Sequence, residues 1–350
     1  MHNTQMNIDE ITKSFLLNFD IHWNEFLNSI DLKYSSSKQL FIGNRTRPVL
    51  VLWGYILGYD GVGEIPLSNL AHLAVSIEAI HKASVIMDDI IDDDNKRRGE
   101  QCLHIEYSSY EAVFFAVSML AKATDLPSKI LDNNNSDLYK EAIGIVSSTI
   151  YEMCKGALLE LTISREQYGD LEHIKKIINL ETVSLIKNSL LLGYQLTTNK
   201  NGPAEDLITS IGKKCGYIFQ VMNDLEPFCN PSYIIKYKGN LNSDIMKSRK
   251  SIVLPYLYEN TNKLEKQKLI EILDGKPDID ILIDILIDMF NKHSINKIIE
   301  ADLDLIFSSI YDLIDKLSES NVKNNYIYQF KEYVGSLKTH YLTILNDGVK

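Results

Sequence analysis

Leu70, Leu73, Ile77, Ile80, Ser84, Met87 and Ile91 fall on one stripe of a helix that starts after Pro66, and His81, Val85, Asp88 and Asp92 fall on a second stripe. A long helix with two faces that avoid solvent must be enclosed by other helices, so this one is expected at the centre of the fold. Apolar spacing of three and four residues dominates the rest of the chain. Helices are expected at roughly 6–31, 45–60, 108–124, 137–165, 170–198 and 204–225, then again from 244 to the end. The stretches 125–135 and 199–203 read as turns, and Pro227, Pro231 and Gly239 mark 226–243 as loop-like. No repeat and no Gly-, Ser- or Pro-rich linker divides the chain. The expectation is a single all-α domain over residues 1–350.

The central helix ends in chemistry. Asp88, Asp89, Asp92, Asp93 and Asp94 put five carboxylates into seven residues, and Arg97 and Arg98 follow three residues later. So dense a cluster repels itself unless cations enter it. Asp88 and Asp92 lie about 40° apart around a helix and so share a face. Oxygen ligands of this kind suit Mg²⁺, which binds through one or two carboxylates and fills its other positions with phosphate oxygens and water. The two guanidinium groups are forks for phosphate. Together they read as a diphosphate site.

His81-(x6)-Asp88-Asp89-x-x-Asp92-(x4)-Arg97-Arg98-Gly99, followed by His104, closely resembles the first aspartate-rich motif of the trans-isoprenyl diphosphate synthases. Gly43-Asn44-Arg45-Thr46-Arg47-Pro48 is similar to that family's early Gly-Lys-Arg-x-Arg-Pro motif, and Phe219-Gln220-Val-Met-Asn223-Asp224 stands where its second aspartate-rich motif belongs. The resemblance runs in order from about residue 40 to 255. It implies helices surrounding a deep central cavity, with the two acidic motifs facing each other at its mouth. It also implies Mg²⁺ on Asp88, Asp89, Asp92, Asn223 and Asp224, with Asp88, Asp92 and Asp224 central to catalysis. Arg97 is expected to touch an allylic diphosphate, and Arg47, His81 and Arg98 the diphosphate of the acceptor. Thr182, Gln220 and Arg249 complete the expected substrate contacts.

The second half departs from the pattern. Asn44 replaces a lysine, and Asn223-Asp224-Leu225-Glu226-Pro227 keeps one acid where the family has more. Glu226 could partly replace the missing carboxylate, and Pro227 is expected to end or kink the helix. Glu181-Thr182 stands for a Lys-Thr pair, which inverts a charge. Gly239-Asn240-Leu-Asn-Ser-Asp244 loses another lysine, and Arg249 preserves one charge. Either Glu181 enters as a metal ligand, or this half no longer grips a diphosphate in the family's way. The residues four and five positions before Asp88 are Ser84 and Ala83, both small. One helical turn is about 5.4 Å, so a block to chain growth would lie deeper, with Phe114 and Phe115 as candidates, and a product of about twenty carbons is expected.

The leading expectation is therefore a Mg²⁺-dependent prenyltransferase acting on prenyl diphosphates. A terpene synthase that cyclises one prenyl diphosphate, and a non-catalytic subunit, are the alternatives. A formal charge of −11 and the lack of a basic patch argue against nucleic acid. No secretory signal is visible, and the nearly apolar run Pro48–Tyr59 is too short to span a bilayer. Four scattered cysteines fit free thiols in a cytoplasmic protein. A homodimer is expected by resemblance alone. Asp280, Asp284 and Asp288 recur every four residues between aliphatic pairs, which reads as a solvated helix stripe.

Overall fold

The computed structural model describes residues 7–61, 63–129, 136–163, 169–197, 202–229, 251–274, 279–320 and 326–347. Helix α1 (Ile8–Ile30) opens the fold, capped by Asn7, whose side chain accepts from the Asp9 backbone N–H at 3.1 Å. It buries Ile11, Phe15, Phe19 and Trp23 along one line. A short helix α2 (Leu32–Ser35) and a 3-10 turn (Lys38–Leu40) lead to α3 (Thr46–Gly58) and the long α4 (Leu67–Ile91). A two-plus-two-residue hairpin, β1 (Lys96–Arg97) and β2 (Glu100–Gln101), precedes α5 (Leu103–Glu106) and α6 (Ser109–Asp125). Then come α7 (Ser136–Leu161), α8 (Leu171–Ile178), a π-helical turn at Asn179–Val183, α9 (Ser184–Tyr194) and α10 (Gly202–Cys229). Helices α11 (Val253–Asn260), α12 (Lys263–Asp274), α13 (Ile279–Lys292), α14 (Ile295–Ser320) and α15 (Tyr326–Asp347) finish the chain. The fold is all-α; the hairpin is the only strand pairing among the described residues.

The double stripe of α4 is met by neighbours on most sides: α1, α3, α6, α7 and α9 all pack on it. By length and composition α4 could cross a membrane, yet 72% of its most apolar window is buried inside the protein. One contiguous apolar cluster runs from Ile11 to Tyr341 and includes Leu70, Leu73, Ile77, Ile80 and Ala83 of α4. The C-terminal helices join it through Trp53 against Phe330 (ring centroids 5.2 Å apart) and Phe228 against Phe290 (5.2 Å).

Helices α3, α9 and α10 approach closely because glycines line their contacts. A Cβ on Gly54 would lie 1.9 Å from the Leu190 carbonyl oxygen, and one on Gly193 would lie 1.8 Å from that of Val51. Gly212 and Gly216 of α10 do the same against Lys187 and Val183. This layer matters because α3 and α10 carry parts of the site.

Helix α10 continues through Pro227 to Cys229, two residues past the expected break. Proline removes one bond to the carbonyl four residues back, and in the last turn the helix bears that loss. Asp284 and Asp288 are exposed while Leu286, Met289 and Phe290 are buried, so this part of the acidic stripe is a solvated face. Phe114 is 71% exposed, whereas Phe115 is buried, 5.3 Å from the Tyr34 ring.

The glycine contacts are directly testable. Gly54→Ala should cost roughly 3 kcal/mol or more, because the backbone of α9 leaves no room. Gly144→Ala on α7 meets nothing within 4 Å, and removing a helical glycine there should stabilise by about 0.5–1 kcal/mol. Chemical denaturation of the two variants checks both signs.

Candidate functional site

Helix α4 ends at Ile91, with Asp92 as C-cap, its N–H bonded to the Asp88 carbonyl at 2.9 Å. Asp93 then turns left-handed (φ 55°). All five carboxylates thus sit at the negative end of a helix dipole, where they are least welcome. The hairpin corrects this. Its turn residues Arg98 (φ 52°) and Gly99 (φ 83°) both have positive φ, the signature of a tight two-residue turn whose twist suits the strands. A non-glycine residue in that conformation costs about 1–2 kcal/mol, so the turn is held by what surrounds it.

The hairpin brings Arg97 back onto the acids. Its Nε donates to Asp89, and its Nη2 lies 3.4 Å from Asp88 and 3.5 Å from Asp94. These carboxylates hold the guanidinium charged well above its ordinary pKa, despite burial. Arg97, expected on an allylic diphosphate, is in this state the counter-ion of the acidic cluster.

Asp89 stands apart from the other aspartates of the cluster. It is fully buried, and besides Arg97 it accepts a hydrogen bond from the Gln39 amide. The Gln39 carbonyl oxygen in turn accepts from the Leu103 backbone N–H at 2.6 Å. Burial raises the Asp89 pKa against the pull of Arg97. The Cys102 thiol beside it is pushed up to about 12 by burial and by this carboxylate. Asp89 is one residue round the helix from the face of Asp88, so it faces inward and acts as an anchor for the hairpin. Asp88 and Asp92 stay on the partly exposed side. Among the described residues, no three His, Cys, Asp or Glu side chains gather closely enough to hold a metal by themselves. A pair of half-exposed carboxylates one turn apart still fits Mg²⁺, which takes its remaining oxygens from substrate and water.

Arg47, His81, Lys82 and Arg98 form a second, cationic group. Arg47 Nη1 donates to His81 Nε2 at 3.1 Å, so the ring accepts there. Burial, then Arg47, lowers the His81 pKa well below its usual value and keeps the ring neutral. The Arg47 guanidinium is itself lowered to about 10 by burial, and its buried Nε has no hydrogen-bond partner. Arg98 reaches toward the same place: its Nη1 would be 3.4 Å from a Cβ on Gly43. The expected acceptor contacts Arg47, His81 and Arg98 are thus brought together. Arg45 stands aside, held by Glu78 at 3.1 Å and over the rings of Phe19 and Trp23.

Around the second motif, Thr182 Oγ1 donates to Gln220 Oε1 at 2.6 Å, and Gln220 Nε2 donates to Asp224 Oδ1 at 2.7 Å. Asp224 Oδ2 accepts from the Ile252 backbone N–H at 2.8 Å. Asp224 therefore orders the Gln220 amide and ties α10 to the start of α11. Asn223 is exposed and Glu226 half-buried. Glu181 lies in the π-turn, where its side chain packs on Gly156 of α7; a Cβ there would meet Glu181 Cγ at 2.5 Å. Such turns re-aim side chains, and this one sends Thr182 to the second motif. Gly239, Asn240, Asp244 and Arg249 lie outside the described residues.

Sequence reasoning missed Gln39, Glu78 and Lys82. Gln39 has no local signal. Glu78 and Lys82 do: they are charges four residues apart inside an otherwise apolar helix, and both are buried.

A family model described as polyprenyl synthetase matches residues 32–288. A short chain isoprenyl diphosphate synthase of Methanocaldococcus jannaschii is 27% identical over 266 residues, covering 75% of this chain and 78% of the relative. Heptaprenyl diphosphate synthase from Staphylococcus aureus superposes with a TM-score of 0.77 at 18% identity, over 96% of this chain and 99% of that one. Geranylgeranyl pyrophosphate synthetase from Pyrococcus horikoshii gives a TM-score of 0.71 at 21% identity, over 97% and 98%.

The split between Asp88 and Asp89 predicts opposite stabilities. Asp89→Ala strands a buried guanidinium and the Gln39 amide, and should cost about 3 kcal/mol. Asp88→Ala relieves like-charge repulsion at a half-exposed position and should change stability by no more than about 0.5 kcal/mol. Equal denaturation midpoints for the two variants would refute the anchor role.

Proposed function

The chain belongs to the polyprenyl synthetase family, and from that premise we propose that it condenses an allylic prenyl diphosphate with isopentenyl diphosphate to give a longer isoprenyl diphosphate. The observation that carries this reading is the division of two adjacent arginines between two places. Arg97 turns to the carboxylates of Asp88, Asp89 and Asp94, and Arg98 turns to Gly43 beside the Arg47–His81 pair. A reaction that joins two diphosphates needs two anion sites; cyclisation of one prenyl diphosphate needs a single one.

In this reading Asp88 and Asp92 hold Mg²⁺ together with the allylic diphosphate. When bound, magnesium supplies positive charge to the departing diphosphate. Arg97, beside Asp88 and Asp94, would offer its guanidinium to the phosphate held there. Arg47 and Arg98 grip the acceptor diphosphate. Neutral His81 offers its remaining ring N–H as a donor without adding charge. Asp224 keeps Gln220 and Thr182 oriented. Ala83 is buried and small, and Ser84 turns its hydroxyl to the His81 carbonyl at 2.8 Å. Two small side chains at that depth support a product of about twenty carbons.

The same proposal includes a homodimer in the cytoplasm. Tyr110 (82% exposed), Phe114 and Val117 make an apolar line along α6, the kind of face that a partner covers. The four cysteines are all free thiols.

Incubation with farnesyl diphosphate and labelled isopentenyl diphosphate should give a longer diphosphate only when Mg²⁺ is added. Asp88→Ala should reduce turnover by a hundredfold or more, about 3 kcal/mol of lost transition-state stabilisation. A cyclic hydrocarbon formed without isopentenyl diphosphate would favour the terpene synthase alternative. No product from either substrate would favour a non-catalytic subunit.

A further inference from the structure

The early motif lost a lysine at Asn44, and the structure shows what the asparagine does instead. Its Oδ1 accepts from the Thr46 backbone N–H at 3.3 Å and from the Thr46 hydroxyl at 2.7 Å. Asn44 is thus spent on the start of α3, a role that a lysine cannot fill. The charge has a substitute one layer below. Lys82 rises from α4, buried, and its Nζ would lie 4.0 Å from a Cβ on Gly43, the residue just before Asn44. Arg98 Nη1 approaches that same point at 3.4 Å. Gly43 has φ +144°, so this turn is one that glycine adopts readily, and its missing side chain leaves the place between the two cations open.

Resting on the acceptor pocket proposed above, we propose that Lys82 is a binding residue for the diphosphate of isopentenyl diphosphate, supplying from the central helix the positive charge that position 44 no longer carries.

Two of the three ammonium donors of Lys82 are used on backbone carbonyls, of Gln39 at 3.1 Å and Ile42 at 2.5 Å. Those bonds aim the group at the turn and leave one donor over. Its charged neighbours are Glu78 of its own helix, Arg45 and Arg47 at the start of α3, and Arg98 of the hairpin. Asp20 of α1 also meets Arg45, at 3.7 Å, so four cations stand against two carboxylates and leave an excess of positive charge in a partly desolvated place. Such an excess is costly without an anion and favourable with a multiply charged one. Burial, opposed by Glu78 and assisted by the three arginines, lowers the Lys82 pKa to about 8. A bound diphosphate would reverse the effect of the arginines and hold the lysine charged.

The alternative role for Lys82 is purely to tie the 39–43 turn. Lys82→Gln separates the two roles, because an amide can still donate to the carbonyls but carries no charge. Isopentenyl diphosphate binding, measured by calorimetry, and its KM in the condensation assay should both weaken about ten- to a hundredfold in Lys82→Gln, with the allylic KM changed by no more than about twofold. Unchanged acceptor binding in Lys82→Gln overturns the proposal. So does an equal weakening of both substrates, which would assign Lys82 to the turn alone. If the unaltered protein binds an allylic diphosphate but no isopentenyl diphosphate, the condensation reading itself falls, and this assignment with it.

Discussion

Five carboxylates at the negative end of a helix dipole can remain together only if cations are delivered to them. The ion pair between Asp89 and Arg97 is the delivery, and much of the site depends on it. Asp89 is buried, so its charge needs a partner in the protein and not in solvent. Arg97 provides it from a hairpin whose turn accepts a left-handed arginine. Once Arg97 is fixed, Arg98 must leave in a different direction, toward Gly43. One anchored charge pair therefore builds an acidic edge and sends a second cation toward the turn at Gly43.

Helix α4 carries both consequences. Its apolar residues hold it among α1, α3, α6, α7 and α9. Its polar residues are sorted by height: Glu78, His81 and Lys82 meet the start of α3, and Asp88 and Asp92 meet the surface two turns on. A rigid helix fixes the spacing between the acidic edge and the cationic group more firmly than a loop could. The close glycine-lined packing of α3 on α9 fixes Arg47 in the same frame.

Much of this was legible in the residues. The double stripe places α4 at the centre, and the acid–arginine spacing marks the site. Arg47, His81 and Arg98 were legible only through resemblance, since nothing local links residue 47 to residue 98. That Asp89 is the one that faces inward was not legible, because a run of aspartates does not show which is buried; that depends on Gln39 and Cys102, distant in sequence. Lys82 was overlooked although a lysine four residues after a glutamate in an apolar helix is an anomaly in itself. Pro227 was read as a break, but a proline in a last turn interrupts little. The π-turn at Asn179–Val183 has no sequence signature here, and it decides where Thr182 points.

The central claim is that the two neighbouring arginines serve two different diphosphates. Steady-state kinetics of Arg98→Ala, with each substrate varied in turn, tests it most directly. The account predicts an acceptor KM raised about ten- to a hundredfold, the loss of one charge-assisted contact, while the allylic KM stays nearly constant. An equal rise in both constants would contradict it.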